Sequence, residues 1–202
     1  MSKILGLDVS TKTIGVALFD ENAKLKILKN ITPKLKPIPK NKLEVLFQKA
    51  HVFEDFIKEY THYDVDTVVI EEPLLSSNNK YTVGTLLRFN GMVAKACYDI
   101  LGVVPEFISS YDARKYAFPE LMEYRIGKNG KKGSKAVLFG GYEKGVDKKM
   151  IIWEKVADRE PQVVWLYDKY NRLKKENFDM TDAYAAVMGF IRKKATSDLV
   201  VQ

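Results

Sequence analysis

Cysteine and histidine are nearly absent from this sequence, with one of the first and two of the second. A single cysteine, Cys97, excludes an internal disulfide and fits a reducing compartment. It lies in an apolar helical pattern and reads as a small core residue. So few soft ligands argue against a zinc site. Any metal would rest on carboxylates, which suit Mg2+, with Mn2+ as a substitute. There is no apolar run of about 18 residues, the length a bilayer-crossing helix needs. The amino terminus shows no signal-peptide pattern. The expectation is an intracellular, cytoplasmic protein with no membrane partner.

What is present is a globular composition, 46% hydrophobic and 29% charged. Its 202 residues carry a net charge of +7. Such a balance arises from a lysine-rich surface or from a polyanionic partner. The length suits one domain spanning 1–202. No internal repeat is visible.

The chain begins with two apolar stretches, 3–9 and 13–20, joined by STKT, which predict a hairpin. Residues 24–31 alternate polar and apolar and predict an edge strand. Three prolines then interrupt the chain. Residues 40–60 place Leu43, Leu46, Phe47, Ala50, Phe53, Ile57 and Tyr60 at helical spacing. A short buried strand follows at 68–70, then a loop at 76–81 and a helix at 82–101 closed by Gly102. Residues 103–109 predict a strand, 111–118 one or two helical turns, 147–157 a helix, and 179–193 a last helix. Residues 119–147 read as a loop or mobile basic hairpin, and 161–177 as an ambiguous insertion. The tail from 196 reads as frayed. This order predicts an α/β fold with a mixed sheet and helices on both faces.

Three stretches hold acids that their neighbours do not favour. Asp8 stands among Ile4, Leu5, Leu7 and Val9, where an unpaired carboxylate is costly. Glu71 and Glu72 end the strand at 68–70. Neighbours on a strand face opposite ways, so one of the two can share a face with Asp8, and pattern alone does not say which. Asp179 and Asp182 lie three residues apart on a helix, on one side. Blander readings exist: Asp179 as a helix cap, Asp182 as a solvated residue, the glutamates as a strand end meeting water. Four clustered acids would instead repel unless divalent ions sat among them. Two such ions can activate a water and stabilise the leaving oxygen in phosphodiester cleavage.

These motifs in this order, ILGLDVSTKTIGVALF, VVIEEP, VVPEFISSYDARKYAF, GGYEKGVDKKMII and DMTDAYAAVMG, resemble the RuvC-type Holliday junction resolvases of the ribonuclease H-like superfamily. The resemblance covers most of the chain, with extra residues near 119–135 and 161–177. It implies a ribonuclease H-like mixed five-stranded sheet. It implies that Asp8, Glu71, Asp179 and Asp182 hold metal, and it favours Glu71 over Glu72. It further implies magnesium-dependent nicking of branched DNA, four-way junctions above all, by a homodimer. Lys115 and Lys148 are the nearest counterparts of the family's basic residues, with Lys148 beside the scissile phosphate. The family's stacking aromatic after the strand glutamate is replaced by Leu74 and Leu75, and Tyr81 is the substitute to consider.

Lysines 131, 132 and 135 stand in a glycine-rich run, and Lys144, Lys148 and Lys149 continue it. Lys115, Lys131, Lys132, Lys135, Lys144 and Lys149 are the candidate DNA contacts, each releasing counterions on binding a phosphate. The helix at 82–101, with Asn90 and Gly91 beside its stripe, is the expected dimer interface. Rival readings are a nuclease of the same fold with looser branched or RNA/DNA-hybrid substrates, an actin-like-fold phosphotransferase, and an inactive DNA-binding module. The phosphotransferase would need a second phosphate hairpin, which is not evident.

Overall fold

A computed structural model describes residues 3–73, 79–127 and 130–200. Strands β1 (Ile4–Val9), β2 (Ile14–Phe19) and β3 (Leu25–Ile31) form an antiparallel meander. Helix α1 (Lys42–Lys58) follows, then β4 (Thr67–Glu71), α2 (Lys80–Leu101), β5 (Glu106–Ile108) and α3 (Ser110–Ala117). Strands β4 and β5 run parallel to β1. The sheet order β3-β2-β1-β4-β5 is therefore mixed, as expected, with β3 at an edge. Then come β6 (Met122–Ile126), β7 (Lys132–Leu138), α4 (Lys148–Arg159) and α5 (Glu176–Val200). Among the described residues, no helix is long and apolar enough to cross a membrane.

Helices α1 to α4 start where the sequence offers a cap. Asn41, Ser109 and Asp147 accept hydrogen bonds from the first free backbone N–H groups of α1, α3 and α4. Gly102 takes the left-handed conformation that ends α2.

Side-chain alternation splits the sheet into two faces with separate cores. Leu5, Leu7, Val9, Val16, Val68 and Ile70 pack with Phe53, Ile57, Phe89 and Val93 of α1 and α2. Ile4, Ala17, Phe19 and Val69 pack with α3, α4 and α5. Helix α5 lies directly on β1 and β2. A Cβ added to Gly6 would come within 2.6 Å of the Ala183 carbonyl oxygen, and one at Gly15 within 1.8 Å of the Asp179 carbonyl oxygen. Only glycine admits a helix this close.

Three expectations change. The stretch after α3 is an ordered two-stranded hairpin, β6–β7, outside the main sheet. Helix α5 starts at Glu176, before Asp179, and continues to Val200, so the tail up to that point is helical. No glycine or proline stands between Lys193 and Val200 to stop it. The helix is also buried all round from Met180 to Val187, instead of on one stripe. Its alanines let the sheet approach one side and α3 and α4 the other. Leu74, Leu75 and residues 76–78 of the loop at 76–81 lie outside the described residues, as does Lys128 of the basic run. Tyr81, in the first turn of α2, is exposed, with Lys42 Nζ 5.0 Å over its ring.

Candidate active site

Asp8 shares its face of β1 with Ile4 and Gly6, the face that α5 covers. Its register partner on β2 is Gly15, against which the Asp179 backbone rests. On β4, Glu71 follows Val69 by two and faces the same way, while Glu72 is exposed. The parallel register pairs Leu7 with Ile70, which places Asp8 beside Glu71. One turn along α5 from Asp179 is Asp182. The pleat and the helix repeat thus bring one carboxylate each from β1 and β4, and two from α5, to one place.

The electrostatics record that convergence. Burial first, then Glu71, Asp182 and Asp179 in turn, raise the Asp8 carboxyl well above the ordinary aspartate range. Asp8 nevertheless keeps partial access to solvent. Burial and then Asp182 push Glu71 up to about 7, against the pull of Arg114, a Ser110 hydrogen bond and Lys149. Burial also raises Asp179, opposed by a hydrogen bond from the Thr13 hydroxyl to Asp179 Oδ2.

Two cations answer this charge. Arg114 Nη2 donates to Asp182 Oδ1 at 2.9 Å, and Lys149 Nζ donates to Asp182 Oδ2 at 3.3 Å. Burial works against the positive charge of each. The facing carboxylates, Asp182 first, outweigh it and hold both above their usual ranges.

These residues suit a hard divalent cation by chemistry: oxygen donors, excess negative charge, and a buried Glu71 Oε2 with no hydrogen-bond partner. Among the described residues, no three acidic, histidine or cysteine side chains are gathered closely enough to hold an ion as they stand. Both oxygens of Asp182 are engaged by Arg114 and Lys149, which supply the compensating positive charge in this conformation.

The remaining predicted residues are spread over the surrounding surface. Lys149, expected as a DNA contact, is the lysine at the acids. Lys148, expected at the scissile phosphate, lies with its Nζ 5.6 Å over the Phe139 ring. Lys115 lies on α3 with its Nζ 4.9 Å over Tyr116. Lys132 and Lys135 are exposed on β7, and Lys131 precedes it. Lys132 Nζ is 5.9 Å over Tyr124 of the same hairpin. Lys144 is exposed in the turn before α4.

Sequence reasoning missed Arg114, Ser110 and Thr13. Arg114 carried a signal: it lies four residues after Ser110 on α3, the same side of a helix, next to a small-residue position, Ala113, that sits in the core.

No family model and no curated protein matches this sequence. Among solved structures, Thermus thermophilus RuvC aligns over 95% of this chain and 96% of its own, with a TM-score of 0.55 and 13% identity. T. thermophilus RuvC in complex with Holliday junction substrate aligns over 98% of this chain and 97% of its own, with a TM-score of 0.55 and 15% identity. At such identity the likeness is one of fold, and the chain has the ribonuclease H-like α/β fold in the form seen in RuvC.

Proposed function

We propose that this chain, built on the fold of RuvC, is a divalent-metal-dependent endonuclease that nicks branched DNA, four-way junctions first among its substrates. The observation that carries the reading is the convergence of Asp8, Glu71, Asp179 and Asp182 from three separate elements into one electrostatically interacting cluster faced by Arg114 and Lys149. Carboxylates whose ionisation is opposed by burial and by one another are the pattern of a functional site. Bound Mg2+ would acidify a water and stabilise the leaving oxygen of the phosphodiester. The four carboxylates would hold the ions. Lys149 and Arg114 would offer their charge to the non-bridging phosphate oxygens once the ions relieve Asp182. Thr13 would keep the Asp179 carboxylate oriented through its hydroxyl.

Around this centre, Lys115, Lys131, Lys132, Lys135 and Lys144 would contact DNA phosphates, with the β6–β7 hairpin as a projecting basic arm. Nicking two strands of one junction calls for two such centres, which a twofold dimer supplies. The outer face of α2 supports that reading. Leu87 and Tyr98 are exposed there, and nothing lies within 4 Å of a Cβ added to Gly84 or Gly91, so a second helix can approach closely. The compartment we assign is intracellular, where such DNA occurs.

The experiment is nicking of a labelled four-way junction in Mg2+ by the protein and by Asp182→Asn. Loss of nicking with retained junction binding is expected. Undiminished nicking by the variant would remove Asp182 from the centre and the reading with it. Three-way, linear duplex and RNA/DNA-hybrid substrates in the same assay define the substrate range.

A further inference from the structure

Beside Asp179 the surface opens into a cleft of about 1000 Å³ rimmed by charged side chains. One wall is the β1–β2 turn with Lys12 and Thr13. The other is the stretch from Asp168 to Phe178, the end of the extra segment at 161–177. This second wall is built, although it belongs to no strand of the main sheet. Asn177, fully buried, brackets Leu166: its Oδ1 accepts from Leu166 N at 2.9 Å and its Nδ2 donates to Leu166 O at 2.7 Å. Lys174 N also donates to Leu166 O at 3.0 Å, and Tyr167 bridges to Leu173. Trp165 packs edge-on against Trp153 of α4, with ring centroids 5.8 Å apart. The segment's shape is therefore fixed by contacts within the chain.

The charges across the cleft are unequal in availability. Of its four acids, Asp147 caps α4, Asp168 holds Arg172 at 2.8 Å and Asp179 receives the Thr13 hydroxyl, while Glu176 is half-buried at the start of α5. Lys12, Lys174 and Lys175 line the cleft from opposite walls and are exposed. Lys149 joins the cleft to the carboxylate cluster. A trough with exposed cations on both walls that runs to the carboxylate cluster matches a polyanionic strand in sign.

We propose that this cleft seats the phosphodiester backbone of the DNA strand leading to the carboxylate centre, gripped between Lys12 on the hairpin turn and Lys174 and Lys175 on the 161–177 segment. The proposal rests on the endonuclease reading and adds to it a binding surface made by the β1–β2 turn and the 161–177 segment. A wall held by the chain's own hydrogen bonds and ring contact limits the ordering cost of binding.

The test compares two triple variants of the whole protein. One is Lys12→Gln, Lys174→Gln, Lys175→Gln. The other removes the same charge at the far end of the sheet, with Lys24→Gln, Lys58→Gln, Lys194→Gln. Binding of a labelled four-way junction is measured in EDTA across a salt series, and nicking is measured separately in Mg2+. The cleft variant is expected to lower the slope of log affinity against log salt by about 3, roughly one for each phosphate that a lysine no longer neutralises. Its affinity at about 0.1 M salt should fall roughly 10- to 100-fold. The control should stay near wild type in both. A cleft variant with the wild-type slope, or a control that weakens as much, overturns the proposal. Failure of the wild type to nick in Mg2+ while the cleft-dependent slope is present counts against the endonuclease reading and for the cleft. Nicking by the wild type with an unchanged slope in the variant does the reverse.

Discussion

The two faces of the central sheet are made from the same strands and serve opposite ends. Toward α1 and α2 the strand positions are apolar apart from Lys29 on the edge strand, whose Nζ lies over the Phe56 and Tyr60 rings. Among the described residues the one buried polar side chain on this face is Asn90, whose Nδ2 bonds the carbonyls of Val9 and Leu86. Toward α5 the alternate positions hold Asp8, Glu71 and two glycines, with Ser110, Thr181 and Asp182 buried nearby. One face gains its stability from dense apolar packing. The other gives up apolar area and gathers like charges that oppose their own burial. The second face can exist because the first holds the same strands in place. Substitutions on the two faces should therefore separate activity from stability.

The widest separation is expected at Asp8. Asp8→Asn should lower nicking by on the order of 1000-fold if the acids hold ions. In metal-free buffer at pH 8 the same change should raise the melting temperature by several degrees, on the order of 1–2 kcal/mol, because it removes a disfavoured charge. A lowered melting temperature would break the comparison. On the apolar face, Phe53→Ala should cost about 3–5 kcal/mol in stability. Nicking per folded molecule, measured well below the melting transition, should be unchanged. A selective loss of activity there would show that the faces are not independent.

A smaller effect separates two adjacent lysines. Lys149→Gln should slow nicking by roughly 10- to 100-fold through reduced charge at the phosphate, and Lys148→Gln by less than about threefold. Single-turnover rates at saturating junction read this directly, and equal losses would count against the placement of Lys149.

The smallest effect is on pH dependence. Asp8, Glu71 and Asp179 have folded-state values raised above their unfolded ones, so the folded state binds protons more tightly. Their contribution to stability is full at low pH and is lost as pH rises through the folded values. For Glu71 that window runs from 4.5 to about 7. The melting temperature of the metal-free protein should fall by a few degrees between about pH 5 and 8. Mg2+ should restore more of it at pH 8 than at pH 5, a difference that calorimetry can read, and the Asp8→Asn, Glu71→Gln double variant should flatten the profile.

Much of this division was legible in the residues. The two-residue period of β1 isolates Asp8, and the spacing of Asp179 and Asp182 puts both on one side of a helix. The choice between Glu71 and Glu72 was not legible, because a strand's own pattern does not say which face its neighbours cover. The pairing of Leu7 with Ile70 supplies that fact. Lys148 and Lys149 are hard to tell apart for a similar reason. The start of α4 at the Asp147 cap sets the phase of the helix, and with it which lysine turns to the acids. Arg114 was hidden because an arginine beside a lysine in DARKY reads as surface charge until α3 is seen packed against α5. The β6–β7 hairpin lacked an apolar face to announce it, since most of its residues are exposed.

The close approach at Gly15 places the heaviest constraint on a position that has no chemistry of its own. A single methyl group there would meet the Asp179 carbonyl oxygen at 1.8 Å, and the cheapest relief is for the whole of α5 to ride up off the sheet. Both helical carboxylates would travel with it, away from partners anchored on strands that stay put. The spacing of the acids is thus set by the thickness of a hydrogen atom on the opposite strand. Random mutagenesis screened for lost activity should find this glycine as readily as it finds the charges it keeps together.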